Sequence, residues 1–138
     1  MKLIILQGLP ASGKSTWSKK WVNENPKERI RVNRDDIRRM LGPYWIPTRE
    51  ELVTKIEESM VISAMMNCRK YKYRYDIILD ATNFKPGKWH DIAKDYSYDI
   101  EILKMSTSLE DCIKYDSIRG PECVGEEVIR NMHKKYYK

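Results

Sequence analysis

The stretch GLPASGKS, residues 8–15, decides how the rest of the chain is read. It has the form G-x-x-x-x-G-K-[ST], the Walker A pattern. Glycines at positions 8 and 13 let the backbone curl so that successive N–H groups point inward. The helix expected after the loop adds free N–H groups and the positive end of its dipole. Such a cradle takes the phosphates of a nucleoside triphosphate. The binding set runs from Gly8 through Ala11, Ser12 and Gly13 to Lys14, Ser15 and Thr16. Lys14 reaches the β- and γ-phosphates, and the Ser15 hydroxyl is placed to ligate Mg²⁺. A mere glycine turn would leave a lysine and a serine at the helix start unexplained.

The flanking sequence has the order this loop requires. KLIIL (2–6) is an apolar run ended by glycine and reads as a buried strand. Residues 14–24 read as a helix running up to Asn25-Pro26. RIRVN (29–33) alternates and is β-branched, a second strand. Residues 34–41 form a short helix stopped by Gly42-Pro43, and PYWIP (43–47) is a proline-bracketed loop. The segment 48–71 is a long helix, with Thr48 and Glu51 as a capping box and Leu52, Ile56, Met60, Ala64 and Cys68 as its packed face. Its methionines, Met60, Met65 and Met66, read as core. YDIILD (75–80) and YDIEILKM (98–105) supply a third and a fourth strand, with a helix over 87–95 between them. Ser108 caps a helix over 109–118, RGPECVG is a loop, and EEVIRNMHKKYYK is a basic terminal helix. This alternation predicts an α/β fold of the P-loop kind: a central parallel sheet of about four strands with helices on both faces, in one domain over residues 1–138.

Composition agrees. The chain has 138 residues, 41% hydrophobic and 33% charged, enough for a packed core and unlike a disordered segment. No run approaches a membrane span, and the four-residue apolar start is too short for a signal peptide. Cys68, Cys112 and Cys123 are odd in number and form no CxxC, so three reduced thiols and a cytoplasmic setting are expected. The net charge of +6 suits a polyanionic partner. His90 and His133 are isolated and read as surface positions.

The loop does not name the acceptor of the phosphoryl group. The next charged stretch, RVNRDDIRRM (31–40), bears on that. Asn33 suits an N-cap, which makes Asp35 and Asp36 the second and third helical residues. Asp36 can bond back to the cap as in a capping box, and both carboxylates suit the positive helix end. Asp35 shares a face with Arg38, and Asp36 with Arg39. A phosphotransferase needs a carboxylate to receive or orient the acceptor proton and gains from an arginine that grips a second phosphate. Asp35 with Arg38 offers both.

These segments together resemble the kinase domain of the bacteriophage polynucleotide kinase family. The matching residues are GLPASGKSTW, VNRDDIR, the strand and turn IILDATN, and SIRG before the last helix. The resemblance runs over nearly the whole chain and implies transfer of the ATP γ-phosphate to a 5′-hydroxyl of DNA or RNA. It implies that Lys14 and Ser15 hold ATP and Mg²⁺, that Asp35 is the general base, and that Arg38 grips the phosphate 3′ to the terminal nucleoside. Arg119 becomes a lid arginine on the transferring phosphate. Asp80 stands in a Walker-B-like place, either in the metal shell or as loop support. Implied partners are nucleic-acid 5′-OH ends and an RNA ligase in tRNA repair, with self-association a further expectation, and the setting is a host cytoplasm if the chain is phage-encoded. Two departures stand out. Tyr115 occupies the place of a second lid arginine, for which Lys114 or Arg130 would substitute, and no DxDxT phosphatase motif is present, so kinase activity without phosphatase activity is expected.

Two competing readings remain: a small-molecule or nucleoside kinase of the same fold, and a non-catalytic nucleotide-binding module of a repair complex. Tyr44 and Trp45, just past the Asp35 helix, are candidates to stack a terminal base, and RKYKYRY (69–75) interleaves basic and aromatic residues as a nucleic-acid track would.

Overall fold

A computed structural model describes residues 1–137. Its elements are β1 (Lys2–Gln7), α1 (Lys14–Glu24), β2 (Arg29–Asn33), α2 (Arg34–Met40), α3 (Glu50–Tyr71), β3 (Asp76–Asp80), α4 (Gly87–Asp95), β4 (Asp99–Lys104), α5 (Leu109–Ser117) and α6 (Glu126–Tyr136). Two short 3-10 turns, Pro47–Arg49 and Gly120–Glu122, precede α3 and α6. The strands pair in parallel in the order β2-β3-β1-β4, so the four-stranded P-loop architecture expected from the alternation is present.

Period-two alternation along the buried strands builds two cores. Leu3, Ile5, Ile77 and Leu79 pack with Val53, Val61 and Met65 of α3 and Trp89 and Ala93 of α4. Ile4, Leu6 and Ile78 face the other way, toward Trp21 and Val22 of α1. Both faces of a parallel sheet are thereby covered, which its continuous apolar strands require. A third cluster lies beyond the strand ends: Leu9 of the phosphate loop is buried with Cys112 of α5 and Ile129 of α6. Because all four strands run the same way, the loops after β1, β2, β3 and β4 gather on one edge, where ligands of such sheets bind.

The long helix differs from expectation at its start and in its face. Thr48 and Glu51 form no capping box. The chain enters α3 through the Pro47–Arg49 turn, where the Arg49 and Glu50 N–H groups bond to the carbonyls of Ile46 and Pro47 and no side chain caps the helix start. The buried stripe is Val53, Glu57, Val61, Met65 and Cys68, while Leu52 and Met60 are about half exposed. Two neighbouring stripes share the four-residue period. The packed one contains a carboxylate, Glu57, which a hydrophobic count passes over. Of the three methionines only Met65 is core; Met60 and Met66 are exposed. Cys68 and Cys112 are buried, Cys123 is exposed, and all three are free thiols. No helix among the described residues is long and apolar enough to cross a membrane.

Candidate active site

The loop between β1 and α1 is shaped by three small residues. A Cβ on Gly8 would lie 2.5 Å from Ser12 Oγ and 3.0 Å from Met105, so only glycine fits. Gly13 has φ +92°, and Ala11 also adopts the left-handed conformation at φ +61°. Thr107, in the loop after β4, donates its hydroxyl to the Ser12 carbonyl and pins the crown of the loop. Helix α1 starts at Lys14 with neither a side-chain cap nor an acidic residue in its first turn, leaving its positive end open to an anion. Lys14 is buried, and its ammonium donates to the carbonyls of Gly8 at 3.0 Å and Leu9 at 2.7 Å. Burial pushes its pKa down to about 8, with the carboxylate of Asp80 opposing the shift. Ser15 and Thr16 follow on the first turn, as the motif requires.

Asp80 ends β3 almost wholly buried. Its Oδ2 is bonded by Arg31 of β2, with Nη2 at 2.7 Å, and by the Ser18 hydroxyl at 3.0 Å. The same guanidinium donates to Ser15 Oγ at 3.4 Å and to Asp36 at 2.7 Å. Arg31 is therefore a hub between the phosphate loop, β3 and α2. Sequence reasoning missed it, because in an alternating strand an arginine reads as a solvent-facing residue. No group of three His, Cys, Asp or Glu side chains among the described residues comes together to hold a metal. The donor set nevertheless fits a Mg²⁺ carried on nucleotide phosphates, since that ion keeps several waters and takes one or two protein oxygens. Ser15 Oγ is such an oxygen, whereas Asp80 Oδ2 is committed to Arg31 and Ser18.

Helix α2 opens opposite the loop. Asn33 caps it, its Oδ1 accepting from the Asp36 N–H at 2.8 Å while its Nδ2 donates to the Asp80 carbonyl. The Asp36 carboxylate does not return to the cap as a capping box would; Arg31 and Arg39 draw it away, at 2.7 and 2.8 Å. Asp35 points into a different cluster. Its Oδ1 accepts from Arg38 at 2.6 Å and from the Tyr44 hydroxyl at 2.8 Å, and its Oδ2 lies 3.9 Å from Arg119. Burial, then the bond to Asp35, pushes the Tyr44 pKa up to about 12, so the phenol stays a donor. Asp35 also raises and Arg119 lowers the Lys14 pKa, both less than burial does.

Arg38 is on the face expected, but its fork is taken: Glu50 of α3 accepts from Nη2 at 2.6 Å and from Nε at 3.0 Å. Arg34 bridges Glu50 and the buried Glu57. The seam between α2 and α3 is thus a ladder of alternating charge, Asp35–Arg38–Glu50–Arg34–Glu57. Trp45 is exposed, with the Arg38 guanidinium 5.7 Å from its ring centre. Tyr44 serves Asp35 rather than standing free to stack.

The segment that carries Arg119 is held from below. Asp116, buried in α5, accepts from the Val124 and Gly125 N–H groups and faces Arg119 at 3.5 Å. Arg39 and Glu122 join α2 to this segment by a two-pronged pair at 2.6 and 2.9 Å. Tyr115 and Lys114 are exposed. Arg130, one of two expected substitutes for the absent arginine, is instead bound to Glu110 and Glu126 on the outer surface. The aromatic–basic tract at 69–75 lies where α3 ends and β3 begins, at the sheet edge opposite the site. His90 is exposed, and His133 stacks on Tyr137.

The AAA domain family matches residues 3–138. An L-seryl-tRNA(Sec) kinase of Methanococcus maripaludis is 31% identical over 97% of this chain, which spans about half (52%) of that relative. A chain in the structure of the Pnkp1/Rnl/Hen1 RNA repair complex aligns with 98% of this chain and 43% of its own length, at a TM-score of 0.75 and 31% identity. A second structure of a Pnkp1/Rnl/Hen1 complex gives 34% identity and a TM-score of 0.65, over 82% of this chain and 38% of that one.

Proposed function

The chain belongs to the AAA domain family as a P-loop kinase, and from that premise we propose that it transfers the γ-phosphate of ATP to the 5′-hydroxyl end of DNA or RNA. The observation that carries this reading is the approach of Arg119 to Asp35 Oδ2, at 3.9 Å, on the sheet edge that also bears the phosphate loop with Lys14. Asp35 Oδ1 is occupied by Arg38 and Tyr44, which leaves Oδ2 to receive the hydroxyl proton. Lys14 leaves the loop carbonyls for the β,γ-phosphate oxygens, and Arg119 meets the charge that develops on the transferring group. Ser15 Oγ would hold a Mg²⁺, which supplies neutralising charge to the phosphates. Asp80, through Arg31, holds the loop and α2 in register rather than binding the ion directly. The likeness to chains of an RNA repair complex supports a nucleic-acid acceptor and an RNA ligase as a working partner.

One observation favours a second reading. Glu50 already neutralises Arg38, so the phosphate grip expected of a 5′-end kinase is internally paired. An acceptor hydroxyl with no adjacent phosphate, such as an aminoacyl group carried on RNA, suits that arrangement, and the seryl-tRNA kinase relative points the same way. Labelled γ-phosphate from ATP decides between them. Label on 5′-OH oligonucleotides supports the first reading. Label on seryl-tRNA alone supports the second, and no transfer to any acceptor removes both.

A further inference from the structure

Residues 69–75 (RKYKYRY), where α3 gives way to β3, take no part in the proposed chemistry, yet they are built as a surface. Lys72, at φ +57°, ends the helix in the left-handed conformation, and residues 69–74 are all exposed. Tyr75 is the root. It packs on the main core, and its carbonyl accepts from the Tyr98 hydroxyl at 2.7 Å. Tyr73 and Tyr71 continue from it in a row, with ring centres 6.1 and 6.0 Å apart and planes tilted by 39° at each step. Rings so tilted do not cover one another's faces, and Tyr71 and Tyr73 are 54% and 56% exposed. A tyrosine kept for packing buries most of its ring; these two do not.

The cations also differ from those near the phosphate loop. Arg31, Arg34, Arg38, Arg39 and Arg119 are each held by a carboxylate. Lys70, Lys72 and Arg74 make no ion pair among the described residues. Arg69 is occupied by the Asp95 carbonyl and the Tyr96 ring. From residue 59 to residue 75 the sequence has no Asp or Glu, and the first acid beyond, Asp76, accepts from the Lys2 N–H at 2.8 Å. The positive charge of the tract is therefore open to an outside polyanion.

Resting on the nucleic-acid reading above, we propose that residues 69–75 hold the single-stranded body of the acceptor, with bases on the faces of Tyr71 and Tyr73 and phosphates on Lys70, Lys72 and Arg74. Stacking on exposed rings joined to unpaired cations is how a single strand is bound without base readout. The row of open rings favours bases over other polyanions, which would use the cations alone. Helix α3 sets the reach. It begins at Glu50, which holds Arg38 beside Asp35, and ends at Tyr71. Its 22 residues span about 33 Å at a rise of about 1.5 Å each. That length matches about ten nucleotides of stacked strand at about 3.4 Å each. The second half of the helix, free of acids, offers the strand a path without repulsion from that helix. The tract distinguishes long acceptors from short ones and leaves the transfer step alone.

Fluorescence anisotropy of 5′-hydroxyl oligouridylates labelled at the 3′ end, without ATP, tests the proposal. An oligomer of about 14 nucleotides is expected to bind about tenfold or more tighter than the dinucleotide, and tighter than a duplex of its own length. The double variant Tyr71→Ala/Tyr73→Ala should remove that gain while leaving dinucleotide affinity, kcat and the KM for ATP unchanged. Lys70→Gln/Lys72→Gln should reduce the salt dependence of long-oligomer binding, the slope of log K against log salt, by about 0.7 per cation removed. Equal affinity for the two lengths, or for single strand and duplex, in the unaltered protein overturns the proposal, whether or not the variants fold. So does a tyrosine variant with the parent's melting curve that keeps the length-dependent gain. Capture of the protein by phosphatidylserine vesicles but not by the long oligomer also overturns it, by assigning the tract to a membrane surface. Length-dependent binding that requires the tract, in a protein that phosphorylates no oligonucleotide, would uphold the surface and defeat the functional reading instead.

Discussion

The phosphate loop and helix α2 share one edge of the sheet but are built from opposite materials. The loop is a backbone device: small residues at 8, 11 and 13, a bare helix start, and one lysine resting on two carbonyls. The α2 side is a side-chain device, in which Asp35 and Arg38 are fixed by Tyr44, Glu50 and Arg119 from three other segments. A backbone device tolerates no change of shape and is indifferent to most charges. A side-chain device is the reverse, and neighbouring residues within it differ widely in importance.

The adjacent pair Asp35 and Asp36 tests that contrast most sharply. Asp35→Asn is expected to lower kcat by about 10²–10⁴ with the thermal midpoint little changed, the usual contribution of a positioned general base; radiolabel transfer and a melting curve read both. Gly8→Ala changes shape alone and no charge. The intruding Cβ should cost about 1–3 kcal/mol of stability and raise the KM for ATP, measurable by denaturant titration and steady-state kinetics. Lys14 gives the loop its one titration. Its pKa of about 8 means that the free enzyme loses the ammonium as pH rises through that value, so nucleotide affinity should fall about tenfold per pH unit beyond it. Stability should move the other way. The unfolded chain, with lysine near 10.5, binds the extra proton between about 8 and 10.5, so the folded state gains as pH rises across that window. The smallest effect belongs to Asp36→Asn, whose half-exposed pairs with Arg31 and Arg39 are worth about 0–1 kcal/mol each. Its kcat should stay within about threefold of the parent. A kcat loss at Asp36 equal to that at Asp35 would erase the contrast.

The same contrast explains what could be read before any fold was known. A backbone device announces itself in spacing, so the loop, its strand and its helix were legible from GLPASGKS and its flanks. Asp35 and Arg38 were legible as i, i+3 neighbours on one short helix. Arg31, Glu50 and Glu57 were not, and Tyr44 was legible only as a stacking candidate, because each acquires its observed role from a partner outside its own element. Arg31 meets Asp80 only when β2 pairs with β3. Glu50 and Glu57 meet Arg38 and Arg34 only when α3 lies along α2 with the stripe one residue away from the most apolar one. The capping box at Thr48 failed for a local reason, since Pro47 nucleates a turn that satisfies the helix start with carbonyls. The expected use of Arg130 failed for a distant one, because Glu110 and Glu126 claim it.

Leu9 has a mechanical consequence. It belongs to the phosphate loop, yet it is buried between Cys112 and Ile129, the helices that flank the lid. Close-packed interiors transmit strain rather than absorb it. Leu9 is therefore a fulcrum: any shift of α5 or α6 must press on the loop that carries it. The shape of the phosphate loop and the seating of α5 and α6 are therefore one packing problem, with no independent freedom for either.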